Sequence, residues 1–296
     1  MTNAVEPFPL VSMCIPVYNH ERFVRASIES VIAQTYQNIE LIIIDDGSKD
    51  SSVAVISELL DACRERFVRF EFITRANVGV SATLNQGLEW AEGKYFSGLA
   101  SDDLICPEKT TVLVDYMQRQ PGSIGVFGSV YIIDDCGNRV GHRKTSGVYD
   151  FQDVILLRAE VPAPASMLKR EDLIAVGGFD VRTRVEDWEM WLKLTDAHNA
   201  SLKVIPELLA EYRQHPANTW KQVDLMHQEQ VKLLDRYMYH PLYKRASVVL
   251  GCIKFRNLSI TRKREALSNL LRLMTHFEAY REIRFYQGVF FLLFKW

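Results

Sequence analysis

Tyr95-Phe96-Ser97-Gly98-Leu99-Ala100-Ser101-Asp102-Asp103 runs a short, mostly apolar strand into two adjacent carboxylates. In an open α/β sheet, ligands bind outside the carboxyl ends of the strands. Side-by-side aspartates at such an end repel each other unless a cation joins them. A hard divalent ion with oxygen ligands is the economical partner, because carboxylates and phosphates can share it. Taken alone, the nine residues also fit a solvated Asp-Asp turn ahead of a helix.

The sequence before this stretch supplies a frame for it. Val11–Val17 reads as a buried strand, followed by a loop at Tyr18-Asn19-His20 and an amphipathic helix over 22–34, with Val24, Ile28, Val31 and Ile32 on one face. Ile39–Ile44 is a second strand, apolar except for Glu40, as expected for a parallel strand covered on both faces. It ends in Asp45-Asp46-Gly47-Ser48. Ser51 or Ser52 is placed to cap the next helix, which carries Val53, Ile56 and Leu60 on one face. Val68–Ile73 is a third strand, and Ser81 is placed to cap a helix that stops at Gly93. Pro107 suits the first turn of a helix running to about Arg119. This alternation predicts an α/β fold with a mostly parallel, Rossmann-like sheet flanked by helices.

Beyond Pro121 the pattern changes. A strand is expected over Val126–Asp134, a turn at Asp135–Asn138, helical residues at 151–158 and an extended piece at Pro164–Leu168. Arg170–Val176 reads as a short helix closed by Gly177-Gly178. Asp187–Ala197 reads as a helix with Trp188, Trp191 and Leu192 on one face, and Leu202–Ile205 and Leu208–Tyr212 as two short strands. From about Trp220 the sequence is helical and increasingly basic.

Net charge is −2 overall, but residues 236–296 hold 12 Lys and Arg against three Asp and Glu, leaving 23 against 34 in residues 1–235. A basic tail on an acidic body points to an anionic partner for the tail. The five cysteines are scattered without metal-ligand spacing and read as reduced, packed thiols of a cytoplasmic protein. Met1–Pro9 lacks a basic region followed by an apolar run, so no signal peptide is expected. Gly288–Phe294 is far too short to span a bilayer.

Several chemistries are excluded by spacing. No Gly-x-Gly-x-x-Gly follows the first strand and no Walker-type loop exists. Gly47 stands where a haloacid-type phosphatase needs its second aspartate, and EF-hand spacing is absent. What remains is two acidic pairs, Asp45-Asp46 and Asp102-Asp103, on one rim of the sheet. Glu186-Asp187 sits at the start of the aromatic-faced helix, where Asp187 as an N-cap is the simple reading. His215 and Asn218 follow a strand-like stretch, where a lone histidine is commonly structural.

In combination, these pieces resemble glycosyltransferase family 2, nucleotide-sugar transferases of the GT-A fold that include enzymes of bacterial surface-polysaccharide assembly. The resemblance covers roughly residues 9–220. It rests on Val11–Asn19, Ser27–Val31, Gln34-Thr35, Glu40–Asp50, Asn77–Ser81, Leu84–Gly87, Ser101–Asp103, Gly177–Asp180, Glu186–Leu192 and Tyr212-Arg-x-His-x-x-Asn218, in that order. It implies that Pro16, Val17 and Tyr18 line the nucleotide pocket and that Asp45 hydrogen-bonds a uracil ring. Asp103 would take a metal, Mn²⁺ or Mg²⁺, with Asp102 near the ribose or the metal. Asp187 matches the general base, Glu186 lies beside it near the acceptor, and His215 falls at a diphosphate or metal contact. The arginine that some relatives carry in the segment aligned with Asn77–Ser81 is missing here.

The family implies inverting transfer from a UDP-sugar to a glycan or polyprenyl-diphosphate-linked acceptor, giving a β-linkage. The rival reading is a non-catalytic nucleotide- or glycan-binding scaffold. Residues 1–220 would form the transferase domain and 221–296 a basic helical extension. That extension fits a helical cap on the body, an interfacial helix at anionic lipid on the cytoplasmic face of the inner membrane, or a partner interface. Nucleic acid is set aside, because the body is acidic and no recognition motif is present.

Overall fold

The computed structural model describes residues 8–197, 200–215 and 222–295. Asn218 and the expected domain boundary near residue 220 lie outside the described residues. Two compact units form. One comprises the chain to Asp150, Glu160–Arg182 and Glu186–His215; the other comprises Phe151–Ala159, Thr183–Val185 and the chain after His215.

The first unit is built on one sheet. Strands β1 (Val11–Val17), β2 (Ile39–Asp45), β3 (Arg69–Thr74) and β4 (Tyr95–Gly98) pair in parallel, in the order β3-β2-β1-β4. β2 is buried along its whole length, as its apolar run requires. On one face, Met13, Ile15, Leu41 and Ile43 meet Val24, Ile28 and Val31 of α1 (Val24–Ile32). On the other face, α4 (Val80–Trp90) approaches β1 so closely that a Cβ on Gly87 would lie 2.4 Å from Cys14 Sγ.

The helix expected after Ser51 is split into α2 (Ser52–Ser57) and α3 (Leu60–Arg66). Its start is fastened by Asp50 rather than by a serine: Asp50 Oδ1 accepts the Ser52 N–H at 3.0 Å, and Asp50 Oδ2 accepts the Glu21 N–H at 3.0 Å. Ser81 does not cap α4, which begins after Gly79 at φ 96°; the Ser81 hydroxyl is buried without a hydrogen-bond partner among the described residues.

Downstream, pairing becomes mixed. β5 (Leu104–Ile105), α5 (Lys109–Arg119), β6 (Gly125–Ile133), β7 (Arg139–Arg143), β8 (Gly147–Tyr149), β9 (Ser166–Lys169), α7 (Arg170–Ala175), α8 (Glu186–Ala197) and β10 (Leu202–Arg213) extend the sheet to β9-β6-β10-β5, with α6 (Phe151–Ile155) belonging to the second unit. The two short strands expected at 202–212 are one strand. Its pairing with β6 slips between Val204 and Leu208, so exposed Pro206 and Glu207 sit in an irregularity instead of a gap. Gly177 and Gly178 close α7 at φ 80° and 66°, their N–H groups bonding Ile174 O and Leu173 O. Of the cysteines, Cys14, Cys63 and Cys252 are buried, Cys106 is half-buried and Cys136 is exposed, against the expectation of packed thiols throughout.

In the second unit, α9 (Val223–Leu234), α10 (Tyr243–Thr261), α11 (Lys263–Leu273) and α12 (Ile283–Phe294) pack around Cys252, Phe255, Leu258, Leu273 and Phe285. Residues 151–159 join them through Phe151 against Tyr237 and His240, and through Arg284 Nη2 donating to Leu157 O.

Glu40, the one charged residue inside the apolar run of β2 before its terminal Asp45, is fully buried and holds the amino-terminal edge of the sheet. Its Oε1 accepts the Ser12 hydroxyl at 2.6 Å and the N–H groups of Glu92 and Gly93 at 2.6 and 3.1 Å; Arg69 donates to Oε2 at 2.9 Å. Gly93 is required here, since a Cβ would stand 2.5 Å from Ser12 Oγ and 2.7 Å from its backbone nitrogen. Removing one partner of a buried, bonded charge costs about 3–5 kcal/mol. Glu40→Ala is therefore expected to lower the urea midpoint by that equivalent, with Glu40→Gln in between. A loss below about 1 kcal/mol would show that the network is dispensable.

Candidate active site

From β1 the chain passes to β2 on one side, while β4 lies on the other. The crevice therefore opens where these strands end. Pro16 and Val17 finish β1, with Val17 O accepting the Asp46 N–H at 2.8 Å, and Tyr18 is 47% exposed at the rim. Asn19, at φ 53°, laces this loop to the next: its N–H donates to Ser48 Oγ at 2.9 Å and its Oδ1 accepts the Lys49 N–H at 2.7 Å.

The first acidic pair divides its work. Asp46 is taken up by the scaffold, accepting the Val78 and Gly79 N–H groups at 3.0 and 2.8 Å and pairing with Arg75. Asp45 Oδ1 accepts the Gly47 and Ser48 N–H groups at 3.2 and 3.0 Å, while its Oδ2 is buried with no hydrogen-bond partner among the described residues. Gly47, at φ 78°, makes that turn; a Cβ there would press on the Asn77 nitrogen at 2.9 Å. Arg75 lies just outside the Asn77–Ser81 segment where no arginine was found. Its guanidinium is bound to Asp46, Gln86 Oε1 and Thr83 Oγ1.

The second pair stands on a turn between β4 and β5. Leu99 N–H reaches Cys14 O at 2.9 Å, Asp103 N–H closes on Ala100 O at 3.0 Å, and β5 then pairs with β10. The end of β10 braces both aspartates. Arg213 N–H donates to Asp103 Oδ1 at 2.8 Å and Arg213 Nε donates to Asp102 O at 2.7 Å. Its Nη1 reaches Asp134 O at 3.1 Å, and its guanidinium lies 4.9 Å from the Phe23 ring centre.

Two residues on, buried His215 Nε2 meets Asp102 Oδ2 at 2.9 Å. His20 arrives from the loop after β1, its Nδ1 at 2.7 Å from Ser101 Oγ and its ring perpendicular to that of His215 at 6.1 Å. His20, Asp102 and His215 each offer a ligand atom, and these lie within 4.8 Å of one another. The structure thus groups His215 with Asp102, while Asp103 is engaged by β10.

Glu186 and Asp187 open α8 as its first two residues, half-buried, so Asp187 lies inside the first turn and is not the N-cap. Burial, then the neighbouring Asp187 charge, pushes Glu186 up to about 8, and burial pushes Asp187 up to about 6. Asp103 is raised well above the carboxylate range by burial first and by the Asp102 charge second; Asp187 adds to the rise and the Arg213 N–H opposes it. Burial, reinforced by Asp103 and Asp102, pushes the Tyr212 phenol up to about 12. His20 is lowered mainly by burial, against the pull of Asp102, which favours the neutral imidazole that ligates metals.

These residues fit a divalent cation. Crowded carboxylates stay charged more easily beside one, and a carboxylate flanked by two imidazoles is a usual donor set. His20, Ser101 and Arg213 escaped the reading from sequence. The signal for His20 was its place directly after β1, at the point where strand order reverses. Arg213 stood within the Tyr212–Asn218 motif but was given no role there, since its grip on the turn depends on the distant pairing of β10.

The family model for glycosyl transferase family 2 matches residues 12–193. A glycosyltransferase of Rickettsia felis, itself uncharacterized, is 26% identical over 88% of this chain and 43% of its own length; one of Haemophilus influenzae is 38% identical over 48% of this chain and 56% of its own. The chain thus spans about half the length of these curated relatives. Among solved structures, the mannosyltransferase PcManGT of Pyrobaculum calidifontis, in complex with GDP-Man and Mn²⁺, superposes with TM-score 0.67 at 14% identity, over 97% of this chain and 81% of that one. S. aureus TarS 1–349 in complex with UDP-GlcNAc superposes with TM-score 0.60 at 14% identity, over 94% and 89%. These likenesses establish a GT-A fold, and with the family model matching most of the residues that build the crevice, this chain belongs to glycosyl transferase family 2.

Proposed function

We propose that this chain is a metal-assisted, inverting glycosyltransferase that moves a sugar from a UDP-sugar to a glycan or polyprenyl-diphosphate-linked acceptor, forming a β-linkage in cell-surface polysaccharide synthesis. Residues 1–220 would carry the reaction and 221–296 would form the extension. The observation that carries the reading is the gathering of carboxylates and imidazoles in one crevice. Asp187 is near enough to Asp103 for its charge to act there, while Asp102 sits in reach of two histidines. PcManGT with GDP-Man and TarS with UDP-GlcNAc support a nucleotide-sugar donor.

Donor recognition would begin at Asp45, whose unpartnered Oδ2 suits an imide N–H such as that of uracil, with Pro16, Val17 and Tyr18 beside the base. Asp102, Asp103, His215 and His20 would hold the cation near the diphosphate. When bound, that cation supplies Lewis-acid stabilisation of the negative charge on the departing nucleoside diphosphate. Asp187, ionised above pH 6, would take the proton from the acceptor hydroxyl as its oxygen bonds to sugar C1. The C1–phosphate oxygen bond breaks with its electron pair leaving on the diphosphate. Glu186, protonated at neutral pH, would donate a hydrogen bond at the acceptor side. Attack opposite the leaving group inverts C1.

Asp187→Asn is expected to cut turnover by about 10²–10⁴-fold while UDP affinity, read by calorimetry, stays within about twofold of wild type on the same grounds of a base that contacts only the acceptor. Near-full turnover would remove Asp187 from the base role.

The pH profile is set by the same pair. Asp187 must lose its proton to act, so kcat/KM is expected to rise with pH through an apparent pKa of about 6, with the second apparent value of the Glu186–Asp187 pair about 8. A rate that falls as pH climbs from 5 to 7 contradicts the assignment.

Cation binding has a readout that needs no turnover. Loss of free Mn²⁺ signal in electron paramagnetic resonance should report binding to wild type, weakened about 10-fold or more in His20→Ala and in His215→Ala. The imidazole donors should favour Mn²⁺ over Mg²⁺, which prefers oxygen. Unchanged Mn²⁺ affinity in His20→Ala would strike His20 from the set.

A further inference from the structure

Apart from Arg284 and Gln287, α12 is made of apolar and aromatic residues and one glycine, yet only one side of it is covered. Phe285, Gly288, Val289 and Leu292 face the core of the second unit, and a Cβ on Gly288 would meet the Phe255 ring at 2.5 Å. The opposite side presents Ile283, Tyr286, Phe290 and Phe294 at helical spacing, and Ile283 and Phe294 are 67% and 70% exposed. A helix with large apolar side chains on two opposite faces belongs in an environment that covers both.

The exposed stripe continues beyond α12. Tyr286 Oη donates to Tyr280 O at 2.8 Å, and Tyr280 Oη donates to Met274 O at 2.9 Å, which ties α12 to the turn after α11. There Phe277 is 68% exposed, and Leu267, Leu271 and Met274 line the exposed apolar edge of α11. Single exposed apolar residues are ordinary; a contiguous patch of this kind marks an interaction surface.

Charge identifies what the surface meets. Residues 236–296 hold twelve bases and three acids, and the acids are already paired: Glu265 with Arg262, Glu278 with Arg281, and Glu282 with Arg158. Lys244, Arg264, Arg272 and Lys295 are exposed, and no acidic partner is found for them among the described residues. Two copies of this chain meeting face to face would bring two such basic segments together, because a twofold contact is self-complementary. An anionic bilayer satisfies both features, taking the aromatic and aliphatic stripe into its interface and the bases to its headgroups.

We propose that the exposed face of α11 and α12 is a docking surface for an anionic lipid bilayer, lying in the plane of the interface. No helix among the described residues is long and apolar enough to cross the membrane. Docking requires neither donor nor acceptor, so its test is independent of the transferase reading.

The experiment is co-sedimentation of the full chain with vesicles of phosphatidylcholine, with and without phosphatidylglycerol, over a salt series. Wild type is expected to pellet with the phosphatidylglycerol vesicles and to be released by salt. Ile283→Glu/Phe290→Glu, at exposed positions, is expected to lose binding by at least tenfold. Arg264→Ala and Arg272→Ala should each lose roughly fivefold, the equivalent of about 1 kcal/mol per base near the surface. Circular dichroism checks that the variants keep their helices, and the milder Phe290→Ser provides a second probe of the stripe. Wild type remaining in the supernatant overturns the proposal, as does equal pelleting of wild type and Ile283→Glu/Phe290→Glu. A concentration-dependent dimer that Ile283→Glu/Phe290→Glu dissolves, with no vesicle binding, assigns the face to a second copy instead.

Discussion

Repulsion between carboxylates is the constraint around which the first unit is arranged. Asp102 and Asp103 follow each other on a buried turn, and Asp187 is close enough to add its charge. Left alone, such a group would take up protons or open the turn. β10 prevents the second outcome. Its last residues pair with β6 and β5, and Arg213 then fastens the turn through one backbone and one side-chain bond. The mixed half of the sheet thereby serves the parallel half. β1 to β4 create the rim, and β10 returns from far along the chain to hold what stands on it.

The same economy explains the division of labour between acids. Asp46 and Asp50 are consumed by backbone N–H groups and ion pairing, which keeps the loops after β1 and β2 in one arrangement. Asp45 keeps one oxygen unspent. An acid that is fully satisfied by the scaffold holds a loop, and one that is not has bonding capacity for a ligand. Glu40, at the far edge, is the first kind taken to its limit.

Much of this was legible in the sequence because the signals were local. The strands β1, β2 and β4 are short apolar runs, α1 shows its 3.6-residue period, and the acids stand directly at strand ends. The Gly177-Gly178 stop is equally plain, since two consecutive left-handed residues leave few alternatives. What escaped reading depends on distant contacts. The single strand β10 hid behind Pro206, because a proline ends a strand in isolation but not where the partner strand slips register. Ser81 was a reasonable cap by type, yet Gly79 set the chain direction and left the hydroxyl unused. His20 was only a loop residue until His215 was brought alongside it, 195 positions later.

The second unit tests the same distinction from the opposite side. Its basic composition was visible at once, but composition could not separate a solvated helical cap from a surface meant to be covered. The separation comes from which face of α12 the core takes. Because Phe285, Gly288 and Leu292 turn inward, Ile283, Phe290 and Phe294 are forced outward by helical geometry, whatever their hydrophobicity. A cap stabilised only by its own core would gain from polar residues on that outer face. Apolar side chains there, on a segment whose Arg264, Arg272 and Lys295 have no acidic partner among the described residues, are explained by a surface that is both oily and anionic.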